Sequence, residues 1–248
     1  MQQPHPSRLG ITPIVESNLE IRFTSVIPSS AIPGMIYNAL KDSYQEMLPT
    51  NVLEIPDSIR SHAPELKFAP LYRLVGNDKK VSVGVGQNVL TVFYNKELHN
   101  DNYPGWTSYI HDEVIDICKK INAMNIISET DRLGLRTIDF FEKINIFNKS
   151  ELELNFNHTS ILDEVTTLER AIIEDGFNCN VIIKSQTSRK FKNDIQLGSV
   201  IDIDTNVKLS NNLFADPDDI IMRCHRANKK TFFDLLKKEF IDTLDPRE

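Results

Sequence analysis

Alternating apolar and polar residues in the first half of the chain predict β-strands. Over residues 15–23, Ile21 and Phe23 alternate with Glu20 and Arg22, and successive side chains of a strand point to opposite faces. Turn residues then separate three further predicted strands, over residues 66–75, 81–85 and 89–94. Because the turns are short, we expect these strands to be antiparallel neighbours.

Apolar residues spaced three and four apart predict helices on either side of this run of strands. One helix begins after the capping residues Ser29 and Ser30, and another begins near the capping residue Thr107. The second helix has the clearest amphipathic pattern of the first half. Its apolar residues are Ile110, Val114, Ile117, Ile121 and Met124.

The second half of the chain shows a similar succession of elements. We predict a strand over residues 132–142 with a bulge or twist near Thr137, then a helix over 160–174, then strands over 177–188 and 198–209. Pro217 opens a final long helix, whose apolar residues run from Cys224 to Leu244.

This order of elements predicts an α+β protein with a curved antiparallel sheet or open barrel and flanking helices. Two interpretations of the order are open. In one, the chain consists of two pseudo-repeated β-α-β-β-α halves, residues 1–128 and 129–248, fused into one globular unit. In the other, the elements of an unrelated α+β chain alternate without any duplication.

The composition indicates a folded, cytoplasmic protein. Hydrophobic residues make up 40 % and charged residues 25 % of the 248 positions, which are ordinary values for a globular chain. The three cysteines are far apart in the sequence, which argues against a disulfide framework or a zinc site. No signal peptide or membrane span is predicted. The net charge of −7 argues against nucleic-acid binding, although the final helix carries two lysine pairs.

The segment Ile201-Asp202-Ile203-Asp204 is the strongest chemical candidate in the sequence. On a strand, Asp202 and Asp204 share one face, with Cα atoms about 6.5–7 Å apart. Two carboxylates at that spacing can bracket one divalent cation, which makes both residues candidate metal ligands. The alternative is a half-exposed strand whose two acids face water.

Four more charged residues form two same-face pairs on predicted strands. Arg132 and Arg136 flank Gly134, which leaves room for a ligand or another backbone, and two guanidinium groups can hold a phosphate or carboxylate. Glu20 and Arg22 form the second pair. The alternative role for the two arginines is structural, as ion-pair partners of Glu20, Asp139 or Asp202.

Two resemblances to known proteins bear on these residues. Acidic and basic residues on one sheet face resemble the triphosphate-tunnel enzymes, whose barrel holds metal and triphosphate. The segment Asn18-x-Glu20-x-Arg22 departs from that pattern, because it lacks the first glutamate and has arginine in place of lysine.

The second resemblance covers nearly the whole chain. The resemblance depends on four segments and on their order along the chain: Tyr103-x-Gly105-Trp106, Arg132-Leu133-Gly134-Leu135-Arg136, Ile201-Asp202-Ile203-Asp204, and Cys224-His225-Arg226 running on to Phe232 and Phe233. In these segments the chain resembles a sporadically distributed family of uncharacterised prokaryotic proteins. Thr137 and Asp139 stand where that family usually has Tyr and Asn. The patchy distribution of the family implies mobile cargo, such as phage-defence or toxin–antitoxin genes.

No sequence motif specifies an enzyme: no P-loop, GxSxG or HExxH segment is present. The main hypothesis is therefore a non-catalytic binding or regulatory module without a cofactor, with a protein partner and possible self-association. The alternative is a metal-dependent enzyme or sensor for a small phosphorylated ligand. In it, Asp202, Asp204 and Glu20 would hold Mg²⁺ while Arg132, Arg136 and Arg22 neutralise phosphate oxygens.

Overall fold

The computed structural model describes residues 5–60, 62–99, 102–192 and 194–247. It is an α+β structure, as the sequence predicts. The strands are β1 (Arg8–Leu9), β2 (Ile14–Ser25), β3 (Glu46–Pro49), β4 (Tyr72–Val75), β5 (Ser82–Val85), β6 (Val89–Asn95), β7 (Ile127–Glu142), β8 (Asn155–Phe156), β9 (Thr159–Ser160), β10 (Thr167–Glu174), β11 (Phe177–Phe191), β12 (Asp194–Asn211) and β13 (Pro246–Arg247).

Among the described residues, the α-helices are fewer than the strands. The α-helices are α1 (Ile32–Leu40), α2 (Asp57–Arg60), α3 (Pro64–Lys67), α4 (Lys96–His99), α5 (His111–Asn122), α6 (Asp218–Asp234) and α7 (Lys238–Asp242). A π-helical turn, Trp106–Ile110, leads directly into α5. Single 3₁₀ turns span Ser29–Ala31, Asn51–Glu54, Ile146–Lys149 and Leu213–Ala215. Among the described residues, no helix is long and apolar enough to cross a membrane.

Nine strands form one antiparallel sheet in the order β10-β11-β12-β7-β2-β6-β5-β4-β3. In the described part of the chain, the edge strands β10 and β3 do not pair with each other, so the sheet is open and does not close into a barrel. Strands β2 and β7 pair at its centre. The sheet is therefore continuous across the junction between residues 1–128 and 129–248.

One face of this sheet carries the hydrophobic core. Along β2, Leu19, Ile21 and Phe23 are buried, while the polar residues between them face the other side. The same alternation continues on β7 and β12, and α1, α5 and α6 cover the apolar face. A second apolar cluster lies between β11, β12, α6 and α7.

The central helices lie where the sequence predicts them, but the predicted caps are wrong: Ala31 precedes α1 and Gly105 precedes the π-helical turn, neither with a side-chain cap. Helix α5 buries Val114, Ile117 and Ile121, which confirms its amphipathic pattern. Its helical path starts earlier than Thr107, because Gly105 adopts φ 87° and the π-helical turn begins at Trp106. Pro217 immediately precedes α6, and Asp218 and Asp219 in its first turn favour the helix dipole.

The helix predicted over residues 160–174 is wrong. Residues Thr167–Glu174 form β10, which makes a hairpin with β11. The two-residue turn at Asp175 and Gly176 decides this, because both have positive φ, of 48° and 81°, as hairpin turns of this kind require. The longer elements of the second half are therefore β7, β10, β11, β12 and α6, and no α-helix lies between these strands in the described residues, unlike the β-α-β-β-α order of the duplication interpretation.

Candidate functional site

The six predicted site residues lie together on the polar face of the sheet. Glu20 and Arg22 project from β2, Arg132 and Arg136 from β7, and Asp202 and Asp204 from β12, which are three adjacent strands. The sequence pattern placed each pair on one face of its strand. Only the strand order β12-β7-β2 brings the three pairs next to one another.

These six side chains neutralise one another in two groups of ion pairs: Arg22, Glu20, Arg132 and Asp204 form one group, and Arg136 with Asp202 forms the other. The Glu20 carboxylate accepts hydrogen bonds from Arg22 Nε at 2.7 Å and from Arg132 Nη1 at 2.5 Å. On its other side, Arg132 Nη2 lies 3.0 Å from Asp204 Oδ2. We call the six residues the polar ladder.

Arg136 and Asp202 complete the polar ladder with a two-pronged contact. Arg136 donates to Asp202 from Nε at 2.8 Å and from Nη2 at 2.6 Å. This fork matches the geometry of a carboxylate, so both carboxylate oxygens of Asp202 are occupied. The hydrogen bond to Asp202 raises the pKa of Arg136 above its ordinary value.

The space beside Gly134 holds the Arg132 side chain, whereas the sequence suggested room for a ligand or another backbone. Gly134 lies between Glu20 on β2 and Asn206 on β12, and the guanidinium group of Arg132 lies over it. A Cβ atom at Gly134 would stand 2.5 Å from Arg132 Nη1. The open space therefore accommodates a side chain of the protein itself.

Among the described residues, no group of three or more His, Cys, Asp or Glu side chains could hold a metal ion.

A cavity of about 660 Å³ lies on the opposite, helix-covered side of the central strands. Its walls are formed by the segment 7–14, the loop and π-helical turn 102–108, strand β7, helix α6, and single residues Lys96 and Arg247. A volume of this size is typical of a small-molecule site. Sequence reasoning did not identify this cavity, because its walls come from segments far apart in the chain.

The floor of the cavity carries a buried carboxyl group, Asp139. It lies on β7 in phase with the core residues Leu133 and Leu135 and is only 2 % exposed. In the described part of the chain, no hydrogen bond or ion pair links it to another side chain. Burial raises its pKa well above the usual range, and the Asp202 carboxylate raises it further. The raised pKa favours the neutral form of Asp139, which can donate a hydrogen bond.

One wall of the cavity is an aromatic plate formed by Trp106 and His225. The two rings are parallel within 2°, with centroids 4.6 Å apart. Burial lowers the pKa of His225 to about 3, and Lys229, His111 and Arg226 contribute in the same direction. The imidazole is therefore neutral at physiological pH. Phe232 and Phe233 add apolar surface nearby.

Asn228 fixes helix α6 against the sheet beside this plate. Its buried amide nitrogen donates to the carbonyl oxygens of Leu135 at 3.3 Å and Ile203 at 3.2 Å, while its carbonyl accepts from the Thr137 hydroxyl at 3.0 Å. These bonds satisfy the polar groups of Asn228 and Thr137 inside the core. They hold the wall of the cavity at a fixed distance from Asp139.

Two paired segments border the cavity, and we call them the clasp: residues 7–14, which line it, and residues 244–247, of which Arg247 lines it. Strands β1 and β13 pair antiparallel within it. Backbone hydrogen bonds join Ser7 N to Arg247 O at 2.8 Å and Gly10 N to Asp245 O at 2.7 Å. Lys229 Nζ on α6 donates to the Ser7 carbonyl at 3.3 Å, which ties the helix to the clasp.

Comparison with known proteins leaves the family resemblance a prediction. No protein-family model matches the chain, and no curated protein matches it significantly. Residues from two of the four segments on which the resemblance depends do line the cavity, namely Tyr103, Gly105, Trp106, His225, Phe232 and Phe233. Thr137 and Asp139, where the chain departs from the resemblance, line it too.

Proposed function

We propose that this protein is a non-catalytic binding module whose cavity takes up a small organic anion with an apolar or aromatic body. The single observation that supports this most strongly is the charge of the cavity lining. Four basic side chains, Arg8, Lys96, Lys229 and Arg247, line it, and its only acidic side chain is Asp139 among the described residues.

Two polar groups at the cavity, Lys229 and Asp139, favour an anionic ligand. Lys229 is half-buried, and burial lowers its pKa, so a nearby negative charge would stabilise its ammonium form. The neutral Asp139 carboxyl can donate a hydrogen bond to a carboxylate or phosphate oxygen. A cationic ligand would instead meet the positive charges of Arg8, Lys96 and Lys229, whereas Arg247 is paired with Asp245 at 2.7 Å.

The apolar part of the ligand would lie against the plate of Trp106 and His225. A neutral imidazole stacked on an indole offers a flat surface, which favours a planar group on the ligand. Phe232 and Phe233 extend this surface. A site that combines an apolar wall with a few polar groups is typical of small-molecule recognition.

Binding without chemistry is the better-supported role, because three hydroxyl groups of the lining donate their hydrogen bonds to other groups of the protein. Ser7 donates to Arg247 O, Ser108 donates to Pro104 O, and Thr137 donates to Asn228 Oδ1. None of these three is aligned with a base as a nucleophile would be. Burial also raises the pKa of Cys118 and Cys224 to about 12, which makes poor nucleophiles of both thiols.

A regulatory role follows from the position of the clasp at the border of the cavity. A ligand that contacts Lys229 and the clasp would stabilise the clasp, and a protein partner could respond to that change. The phage-defence or toxin–antitoxin setting implied by the family resemblance stays a prediction. The phosphorylated ligand of the alternative hypothesis is also an anion. We propose that such a ligand would bind in the cavity and not at the polar ladder.

A fluorescence titration tests the proposal directly, since Trp106 is the only tryptophan in the chain and lines the cavity. The probes are matched sets without an indole ring: phenylacetate against phenethylamine, benzoate against benzamide, and adenosine monophosphate against adenosine. We expect at least one anion to change the fluorescence and to raise the melting temperature, while its neutral or cationic counterpart does neither. At about 100 times its dissociation constant, a ligand adds roughly 2.7 kcal/mol of stability.

Lys229→Gln is the informative variant, and Lys41→Gln, which directly follows α1, is its matched control outside the cavity. Loss of one charge-assisted hydrogen bond, about 1.5–3 kcal/mol, weakens binding roughly tenfold to a hundredfold. We expect that loss in Lys229→Gln and unchanged binding in Lys41→Gln. Binding of the neutral or cationic probes in preference to the anions would overturn the proposal, as would equal affinity in both variants.

A further inference from the structure

The two edges of the nine-stranded sheet differ in how well they are protected. Strand β3 is four residues long and ends in Pro49, which cannot donate to a neighbouring strand. Strand β10 is eight residues long, contains neither proline nor glycine, and is largely exposed. Ile173 on this strand is 77 % exposed. A long open edge of this kind is a template for another strand.

The hairpin turn determines which residues of β10 have free backbone groups. In a two-residue hairpin the residues that flank the turn exchange hydrogen bonds, so Glu174 bonds to Phe177, and bonding alternates from there. The bond from Ser185 N to Thr166 O, 3.0 Å, agrees with this alternation. The outward-facing backbone groups therefore belong to Thr167, Glu169, Ala171 and Ile173.

The sequence of β10 is self-complementary in one antiparallel register. If Ile172 lies on a two-fold axis, the segment Arg170-Ala171-Ile172-Ile173-Glu174 pairs with its own copy. Arg170 of each copy then stands opposite Glu174 of the other copy, which gives two such pairs. Ala171 of each copy stands opposite Ile173 of the other. The outward-facing residues Ala171 and Ile173 meet each other, as the backbone hydrogen bonds require.

Neighbouring registers lack this match. An axis at Arg170 places two arginines opposite each other, and an axis at Glu169 does the same with two glutamates. An axis at Ala171 places each Glu174 opposite Leu168 and matches no charges. Among the described residues, Arg170 has no ion-pair partner within its own chain, whereas Glu174 binds Lys230 at 2.8 Å.

We propose that the protein forms a two-fold homodimer by antiparallel pairing of β10 with β10 of a second copy, with Ile172 at the axis. The interface is isologous, as closed dimers require. The overlap is short, so the dimer is weak and its population depends on concentration. It would join two nine-stranded sheets through their exposed edges and remove the open edge from solvent.

Charge-reversal variants test the register by sedimentation equilibrium across a range of protein concentrations. Arg170→Glu and Glu174→Arg should each weaken self-association roughly tenfold or more, because two attractive cross-strand pairs become repulsive. An equimolar mixture of the two variants should dimerise again, since both cross-strand pairs of the mixed dimer join a glutamate of one chain to an arginine of the other. Circular dichroism confirms that both variants are folded.

Cysteine cross-linking supplies the geometric control. Residues at the axis form a non-hydrogen-bonded pair with Cα atoms about 4.5 Å apart, which a disulfide can bridge. Ile172→Cys should therefore form a covalent dimer under mild oxidation, and Ala171→Cys should not. Cys179 stands opposite Ile172 within the same chain, so both cysteine variants are made in a Cys179→Ala background; the other native cysteines, Cys118 and Cys224, are buried. A protein that is monomeric at every concentration overturns the proposal, as does cross-linking of Ala171→Cys in place of Ile172→Cys.

Discussion

Gly134→Ala is the change that most directly tests the polar ladder. The backbone of Gly134 lies outside the positive-φ region, so alanine fits its conformation. The new methyl group, however, would stand 2.5 Å from Arg132 Nη1 and 3.0 Å from its Cζ. We expect the guanidinium group to swing away and to lose its contacts with Glu20 and Asp204.

The expected cost is worked from the exposure of the three side chains. Arg132, Glu20 and Asp204 are 20 %, 18 % and 32 % exposed. Buried charge-assisted hydrogen bonds contribute about 1.5–3 kcal/mol each and exposed ion pairs about 0.2–1 kcal/mol. Partial solvent screening places these two between those limits. Alanine in a strand recovers about 0.5–1 kcal/mol relative to glycine. The net loss is therefore about 1–2 kcal/mol of unfolding free energy.

A double-mutant cycle measured by urea denaturation checks this reasoning. In the Arg132→Ala background the guanidinium group is absent, so Gly134→Ala should be neutral or slightly stabilising. An equal cost in both backgrounds would refute the explanation, because it would mean that Gly134 makes room for something other than Arg132. So would the absence of any cost in the native chain, because it would mean that the contacts of Arg132 contribute nothing measurable.

Two further predictions concern Asp139 and the alternative metal site. Asp139→Asn should stabilise the protein relative to the native chain, increasingly as the pH rises above about 4. Because the folded-state pKa of Asp139 is raised, the native chain loses stability as the pH rises through that value, whereas the asparagine variant does not. Urea midpoints of both proteins at several pH values measure this, and a pH-independent difference would contradict it. A thermal-shift screen of Mg²⁺ or Mn²⁺ with nucleoside triphosphates tests the metal hypothesis. If Asp202 and Asp204 bind the cation, a metal-dependent shift disappears in the Asp202→Ala, Asp204→Ala variant; if the anion occupies the cavity, the shift needs no metal and survives in that variant.

The residues of the polar ladder could be predicted from the sequence, whereas the cavity could not, for a physical reason. The polar ladder consists of residues two or four positions apart on strands, and the period of a strand places such residues on one face. The sequence therefore indicated three same-face pairs, and the structure brings them together. The sequence could not indicate which charged side chains pair. Arg136 stands opposite Asp204 in the strand register, yet it forms its ion pair with Asp202.

The cavity left a weaker signal in the sequence. Asp139 and Thr137 share the phase of Leu133 and Leu135, so they are polar residues at positions that the alternation assigns to the core. A buried carboxyl at such a position indicates either a polar network or a site. The sequence contained this signal, but it did not contain the clasp, the aromatic plate or the position of Lys229 relative to Asp139.

Local patterns by themselves determined the amphipathic helix α5, the alternation of β2 and the antiparallel α+β class, because each depends on neighbouring residues and elementary backbone geometry. Tertiary structure decided the rest. Strand β10 is the exception: its apolar spacing suits a helix, but the local hairpin signal Asp175-Gly176 pairs it with β11 and makes it a strand. The cavity exists only where residues 7–14, the turn before α5, strand β7 and helix α6 meet. Contacts between such distant segments are set by packing and strand order, which no local pattern encodes.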